Sequence, residues 1–209
     1  MYIPYAFREE NTETLVEFMR ANSFATLVSI VDGAPVATHL PLVVQWQDGE
    51  VMLSGHLARP NAQWRAFDQA ESLAIFTGPH AYISPSLYEK RESVPTWNYI
   101  AVHAYGRPAL LDLVDARTQV EAMIDSLIEA NDPAYREQWQ ELPEKFREGM
   151  LKGIVAFEMR VTRLEGKYKL SQNRSLVDRQ NVAQALRQSP NPVIYGVGEA
   201  MSQGLDTSS

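Results

Sequence analysis

Cysteine is absent from all 209 residues. That excludes a disulfide framework, a cysteine-rich zinc site, a thiol nucleophile and an iron–sulfur cluster. It also fits a chain kept in a reducing compartment, so a cytoplasmic location is expected. The N-terminus, Met1-Tyr2-Ile3-Pro4-Tyr5, lacks the basic start and apolar stretch of a signal peptide. No apolar run approaches the ~20 residues that cross a bilayer, so no membrane partner is expected. Positive charge is scarce too: 19 Lys and Arg stand against 26 Asp and Glu, a net charge of −7. The broad basic footprint that supplies most non-specific DNA affinity is therefore missing. One local exception is residues 167–187, where Lys167, Lys169, Arg174, Arg179 and Arg187 face a single acid, Asp178.

Common catalytic signatures are missing as well. His39, His56, His80 and His103 show no metal-ligand spacing such as His-Glu-x-x-His, and no metal site is expected. There is no Gly-x-Ser-x-Gly elbow, no Walker loop and no Gly-x-Gly-x-x-Gly fingerprint. The pair Gly196-x-Gly198 lacks the third glycine and a following helix. No internal repeat or low-complexity segment is found.

What remains is ordinary globular material, with 45% hydrophobic and 22% charged residues, enough for one good core. A helix is expected from Asn11 or Thr12 to about Asn22, with Leu15, Phe18 and Met19 on one face. Strands are expected at 24–31, 35–44 and 50–55, turned by Asp32-Gly33 and Gln47-Asp48-Gly49. A short helix at 58–67 follows, then a strand at 72–77 broken by Gly78-Pro79. Residues 84–95 read as a surface loop, and 96–107 as an aromatic-rich strand continued at 109–113. Helices are expected at 115–130, where Val120, Met123, Ile124, Leu127 and Ile128 keep a 3.6-residue period, and at about 143–152. Residues 154–162 alternate, with Val155, Phe157, Met159 and Val161 on one face. A helix at 176–188 leads into a tail that frays from Ser202. Six or more strands with short turns and peripheral helices point to an α+β domain centred on an antiparallel barrel. A single domain is expected over 1–190, with 191–209 as a C-terminal tail.

Four segments have chemistry in them. Residues 54–64 run from a strand end into a helix start, where backbone N–H groups and the Arg59 fork suit a phosphate; chemistry alone favours a helix cap and a solvated arginine. Thr38-His39-Leu40-Pro41-Leu42 places a proline on a strand, which implies an edge or bulge with free backbone groups for a ligand. Trp97 and Tyr99 share one strand face with Asn98 opposite, a surface for a flat ring or for ordinary aromatic packing. Residues 167–174 are polar and basic, suited to a phosphate, a partner subunit or plain solvent.

In order, the chain has Met1-Tyr2-Ile3-Pro4 with Phe7, His39-Leu40-Pro41-Leu42, Gly55-His56-Leu57-Ala58-Arg59 with Asn61 and Trp64, Val94-Pro95-Thr96-Trp97-Asn98-Tyr99, and Lys169-Leu170-Ser171-Gln172-Asn173. This set resembles the PaiB-like family of FMN-binding negative transcriptional regulators. The resemblance implies an FMN-binding split β-barrel, with FMN held between the two subunits of a homodimer. It also implies that Thr38, His39 and Leu40 lie along the flavin and that His56, Ala58, Arg59 and Asn61 surround its phosphate or ribityl chain. Trp97, Asn98 and Tyr99 would close the cleft, with Lys169 and Gln172 on the far side. No helix–turn–helix or zinc finger accompanies the regulator label, so direct DNA contact is not supported by charge. Three readings stay open: a flavin-dependent regulator acting directly or indirectly, an FMN-dependent oxidoreductase of unknown substrate, and a flavin-free dimeric binding module.

Overall fold

The computed structural model describes residues 1–113 and 115–206. A two-residue strand, β1 (Arg8–Glu9), precedes helix α1 (Thr12–Ala21). Asn11 starts that helix: its Oδ1 accepts from Thr14 N at 2.9 Å, satisfying an otherwise orphaned donor. Strands β2 (Phe24–Val31) and β3 (Ala34–Pro41) pair antiparallel, as do β4 (Val43–Gln47) and β5 (Glu50–Ala58). Both hairpins turn on Asp-Gly, with φ of 51° and 79° at Asp32-Gly33 and 53° and 82° at Asp48-Gly49. Two consecutive left-handed residues are what a twisted two-residue hairpin requires.

Three long strands follow. These are β6 (Ser72–Ile83), β7 (Thr96–Leu111) and β8 (Ile154–Lys169). Helices α2 (Arg117–Asn131), α3 (Tyr135–Glu141) and α4 (Glu144–Lys152) lie between β7 and β8 in the chain, and α5 (Leu176–Arg187) and α6 (Pro192–Asp206) close it. The hydrogen-bonded strand order is β3-β2-β6-β7-β8-β5-β4, with β1 pairing β8. This is the expected α+β split barrel built on an antiparallel sheet.

Several expectations need correction. The strand expected over 35–44 is two strands separated at Leu42, whose N–H leaves the ladder to donate to Ser23 O at 2.9 Å. The helix expected at 58–67 is only a 3-10 turn, Ala62–Ala66, because β5 runs on to Ala58 and Asn61 caps what is left. Gly78-Pro79 does not break β6. The β2 register on β6 covers only Leu73 to Ile75, so the missing proline N–H lies beyond that ladder. Helix α3 was not foreseen, since its Tyr-Arg-Glu-Gln-Trp-Gln-Glu sequence has no apolar period. The expected tail is also helical from Pro192 to Asp206, with Val197 and Met201 buried; residues 207–209 lie outside the described chain.

The chain resolves into two compact units, neither contiguous in sequence: one comprises Met1–Leu15, Thr77–Val102 and the chain from Glu165 onward, the other Val16–Phe76 and His103–Leu164. The second unit has its core in Leu27, Leu53, Phe67, Phe76, Phe157 and Met159, all essentially without exposure. Phe67 and Phe157 meet edge to face at 5.1 Å, a preferred aromatic geometry. Val120, Met123, Leu151 and Ala156 form a satellite cluster under α2. The first unit packs α5 on α6 around Val182, Ala183, Leu186 and Val197. A Cβ at Gly198 would sit 2.8 Å from Arg187 N, so the two helices approach more closely than alanine allows. Among the described residues no helix is long and apolar enough to cross a membrane.

Candidate functional site

Seven of the twelve expected site residues fall in the unit formed by Val16–Phe76 and His103–Leu164, on β3, β5 and the turn after β5. Two sequence motifs meet there. A Cβ at Gly55 would lie 2.8 Å from Leu42 Cδ2 and 3.3 Å from Pro41 O, so glycine lets β5 close against the end of β3. β3 ends the strand order, and residues 34–37 and His39 along it are exposed. An edge strand leaves every second N–H and C=O unpaired and available to a planar polar partner.

Thr38, Asn61 and Gln63 form a closed network under this edge. Asn61 Nδ2 donates to Thr38 Oγ1 at 2.8 Å, while its Oδ1 accepts from Gln63 N at 3.0 Å. Thr38 Oγ1 donates to Gln63 Oε1, and Gln63 Nε2 donates to Leu27 O and Ser29 Oγ at 3.0 Å each. Gln63 is 1% exposed; sequence reading missed it, because nothing in a sequence tells a buried glutamine from a solvated one. Thr38 and Asn61 therefore shape the turn, with their polar atoms already engaged. His39 Nδ1 lies 2.9 Å from Thr26 Oγ1 and its ring stacks on exposed Phe24 at 6.4 Å, while Leu40 is buried and Ala58 exposed.

Arg59 has a definite structural task. Its Nε donates to Lys152 O and its Nη2 to Ile154 O, both at 2.7 Å, and its backbone N donates to Gly153 O at 2.9 Å. The guanidinium thus satisfies the orphaned last carbonyl of α4 and ties it to the first carbonyl of β8, and Nη1 is left for an anion. His56, opposite Ala156 on β8, has a buried Nδ1 without a hydrogen-bond partner. Burial pushes its imidazole pKa below the ordinary value, so the ring is neutral at pH 7. An orphaned buried ring nitrogen of this kind fits a polar ligand that supplies the missing partner.

The other five residues lie in the unit containing β1, α5 and α6. Trp97 is 54% exposed and packs against Tyr82 at 6.0 Å and His80 at 6.2 Å, two companions the sequence reading did not include. Lys169 Nζ donates to Thr96 Oγ1 and Trp97 O. Its pKa is lowered by burial first, then by Lys167 and Arg174. Tyr99 lies under the Lys167 ammonium at 5.2 Å. Asn98 is fully buried: Nδ2 donates to Ser171 Oγ at 2.9 Å and approaches Met201 Sδ at 3.4 Å. Gln172 has both amide atoms on backbone, accepting from Leu170 N and donating to Tyr168 O, which brackets Ser171 at φ 64°. Asn98 and Gln172 thus hold strands and turn in place.

The basic stretch at 167–187 is not an open cationic surface. Lys167 donates to Tyr2 O, Arg174 lies 4.2 Å over Tyr88, Arg179 donates to Gly204 O, and Arg187 pairs with Glu199. Among the described residues no cluster of His, Asp and Glu is arranged to hold a metal ion.

Comparison with known proteins places the chain. Residues 1–163 match the family model described as "Putative FMN-binding domain". The protease synthase and sporulation protein PAI 2 of Bacillus subtilis is 41% identical over 206 residues, covering 98% of each chain. An uncharacterised protein of Emericella nidulans is 28% identical over 222 residues, covering 87% of this chain and 88% of that one. Among solved structures, the FAD and heme binding protein from Mycobacterium smegmatis has a TM-score of 0.57 at 17% identity, covering 78% of this chain and 73% of that one. The flavocytochrome Anf3 from Azotobacter vinelandii also has 0.57, at 15% identity, covering 78% and 69%. At those identities the likeness concerns the fold, whereas the family match and the full-length relative concern descent: the chain belongs to the FMN-binding-domain family that includes PAI 2.

Proposed function

We infer that the chain binds FMN as a homodimer and acts as a negative regulator of transcription without gripping DNA itself. The observation carrying the flavin reading is the orphaned, buried Nδ1 of His56 beside an exposed edge strand, in a member of an FMN-binding family. FMN supplies electron transfer when bound. The β3 edge at 38–40 offers backbone donors and acceptors to the ring, and exposed Ala58 leaves room beside it. His56 completes its hydrogen bonding on the ligand, and Arg59 Nη1 meets the phosphate. Thr38 and Asn61 hold the turn in shape, as Asn98 and Gln172 hold the 97–99 strand. That strand and Lys169 complete the cleft in the homodimer, where exposed Trp97 and Tyr82 find cover.

The regulator reading draws on the resemblance carried by the ordered motifs, alongside a relative named as a protease synthase and sporulation protein; the indirect route draws on the engagement of all five cations of the 167–187 stretch within the fold. With these five cations engaged, the reading is that the protein acts on transcription through a partner or a metabolite. The test is the absorption spectrum and solution mass of the purified protein. A flavin band and twice the chain mass support the reading; a colourless monomer that takes up no added FMN refutes it. Specific promoter binding by the isolated protein at low salt would overturn the indirect route.

An FMN-dependent oxidoreductase is the second reading, favoured by the neutral His56 imidazole, whose buried, unpartnered Nδ1 is a candidate proton-transfer group. Catalytic bleaching of the bound flavin by NADH or NADPH supports it, and a flavin inert to both removes it.

A further inference from the structure

Beyond the strand end that carries Arg59 lies a second opening. Trp64, Arg65, Phe67, Arg107, Pro108 and Leu110 line a cleft of about 510 Å³ in the unit formed by Val16–Phe76 and His103–Leu164. That volume falls in the ~300–1,000 Å³ range of small-molecule sites. Its floor is apolar, with Phe67 and Pro108 buried and Leu110 47% exposed. Its charges have one sign to spare. Arg65 lies over the Trp64 ring at 5.4 Å, and Arg107 donates only to the main-chain carbonyl of Asp68, at 3.3 Å. Neither guanidinium has a carboxylate partner among the described residues, in a protein whose net charge is −7. Asp68 is the single acid on the lining, against two arginines.

Two arginines without counter-ions on an apolar cleft call for an anion. An indole and a guanidinium plane beside that floor call for a flat ring, since aromatic bases stack on both. One class of compound carries both groups a short distance apart. We propose that this cleft is a mononucleotide site, separate from the flavin, which holds a purine nucleoside 5′-phosphate with the base on the Trp64 side and the phosphate between Arg65 and Arg107. The indole does not swing freely, because Trp64 Nε1 donates to Arg59 O at 3.1 Å, so the platform is already in place.

The probes are 5′-AMP, adenosine, inorganic phosphate and NAD, titrated into the full-length protein by calorimetry with FMN present. The expected result is saturable 5′-AMP binding, at least tenfold weaker binding of adenosine, and loss of 5′-AMP binding in the Arg65→Gln/Arg107→Gln double variant. Arg107→Lys keeps the charge and retains part of the affinity. NAD binding as tightly as 5′-AMP would identify the nucleotide as half of a dinucleotide, which supports the site. No 5′-AMP binding, adenosine binding as well as 5′-AMP, inorganic phosphate binding as well as 5′-AMP, unchanged affinity in a folded double variant, or displacement of 5′-AMP by FMN would each overturn the proposal. Flavin retention is read from the absorbance of the same samples. A double variant that keeps its flavin but loses 5′-AMP separates this site from the flavin reading.

Discussion

Replacing Arg59 with alanine separates two duties that one side chain carries. In the fold, its guanidinium donates to Lys152 O and Ile154 O at 2.7 Å, tying the end of α4 to the start of β8. A hydrogen bond from a charged group contributes roughly 1.5–3 kcal/mol, and a cation at a helix C-terminus adds about 0.3–1 kcal/mol. Arg59 is exposed, and both carbonyls rehydrate once it is gone, so the net loss is discounted to about 1–2 kcal/mol. For a chain of this length each kcal/mol moves the melting temperature by roughly 2–4 °C. The expected drop for Arg59→Ala is therefore about 2–8 °C by differential scanning calorimetry. Flavin affinity is a second readout on the same variant: if Nη1 meets the phosphate, affinity falls at temperatures where the variant is still fully folded. A variant that melts with the wild type would refute the structural duty. One that melts early but binds FMN normally would refute the phosphate contact.

Three further outcomes follow from the same geometry. Gly55→Ala drives a Cβ to 2.8 Å from Leu42 Cδ2 and is expected to lower stability by about 1–3 kcal/mol; a neutral urea midpoint would mean the β3 end and β5 are not so closely apposed. His56 is held below its ordinary pKa of 6.5, so the unfolded chain binds more protons than the native one. Its contribution is complete above about pH 6.5 and is lost as pH falls below that, so urea midpoints at about pH 5.5 and 7.5 converge in His56→Gln; an unchanged difference sinks the assignment. Asn98→Ala leaves Ser171 Oγ without its buried partner and is expected to cost about 1–3 kcal/mol. Its folded fraction should bind FMN with nearly unchanged affinity, and a specific loss of flavin would return Asn98 to the ligand.

How far the sequence carries depends on how local each cause is. Asp32-Gly33 and Asp48-Gly49 announce their hairpins because left-handed φ is a property of two residues, and α1 announces itself by a cap and an apolar stripe. The break at Leu42 is invisible, since it depends on a carbonyl at Ser23. Pro79 misleads for a related reason: whether a missing N–H matters depends on where the neighbouring strand stops pairing. Helix α3 has no period to detect, and α6 follows a Ser-Pro-Asn-Pro run that reads as a terminus. At the site, the ordered motifs fall on β3, on β5 and on the turn after it, although the strand at 35–44 and the helix at 58–67 needed correction. The motifs could not separate side chains left free for a ligand from those spent on the scaffold. Asn61, Asn98 and Gln172 have polar atoms consumed by partners up to 103 residues away, and Gln63 was overlooked for the same reason.

Strand β8 has a consequence for how the molecule is made. It pairs with β5 through Met52↔Arg160 to Ala58↔Ile154, and with β1 through Arg8↔Lys167 and Glu9↔Gly166. On a ribosome the β2–β3 and β4–β5 hairpins emerge early, joined by turns that form within microseconds. The β5 edge then waits for roughly a hundred more residues before its partner is synthesised. Over that interval the nascent chain exposes an apolar strand edge of the kind that recruits other chains. The vulnerable period of this protein is thus its translation, and slowed synthesis across α2 to α4 would lower soluble yield without altering a single native contact.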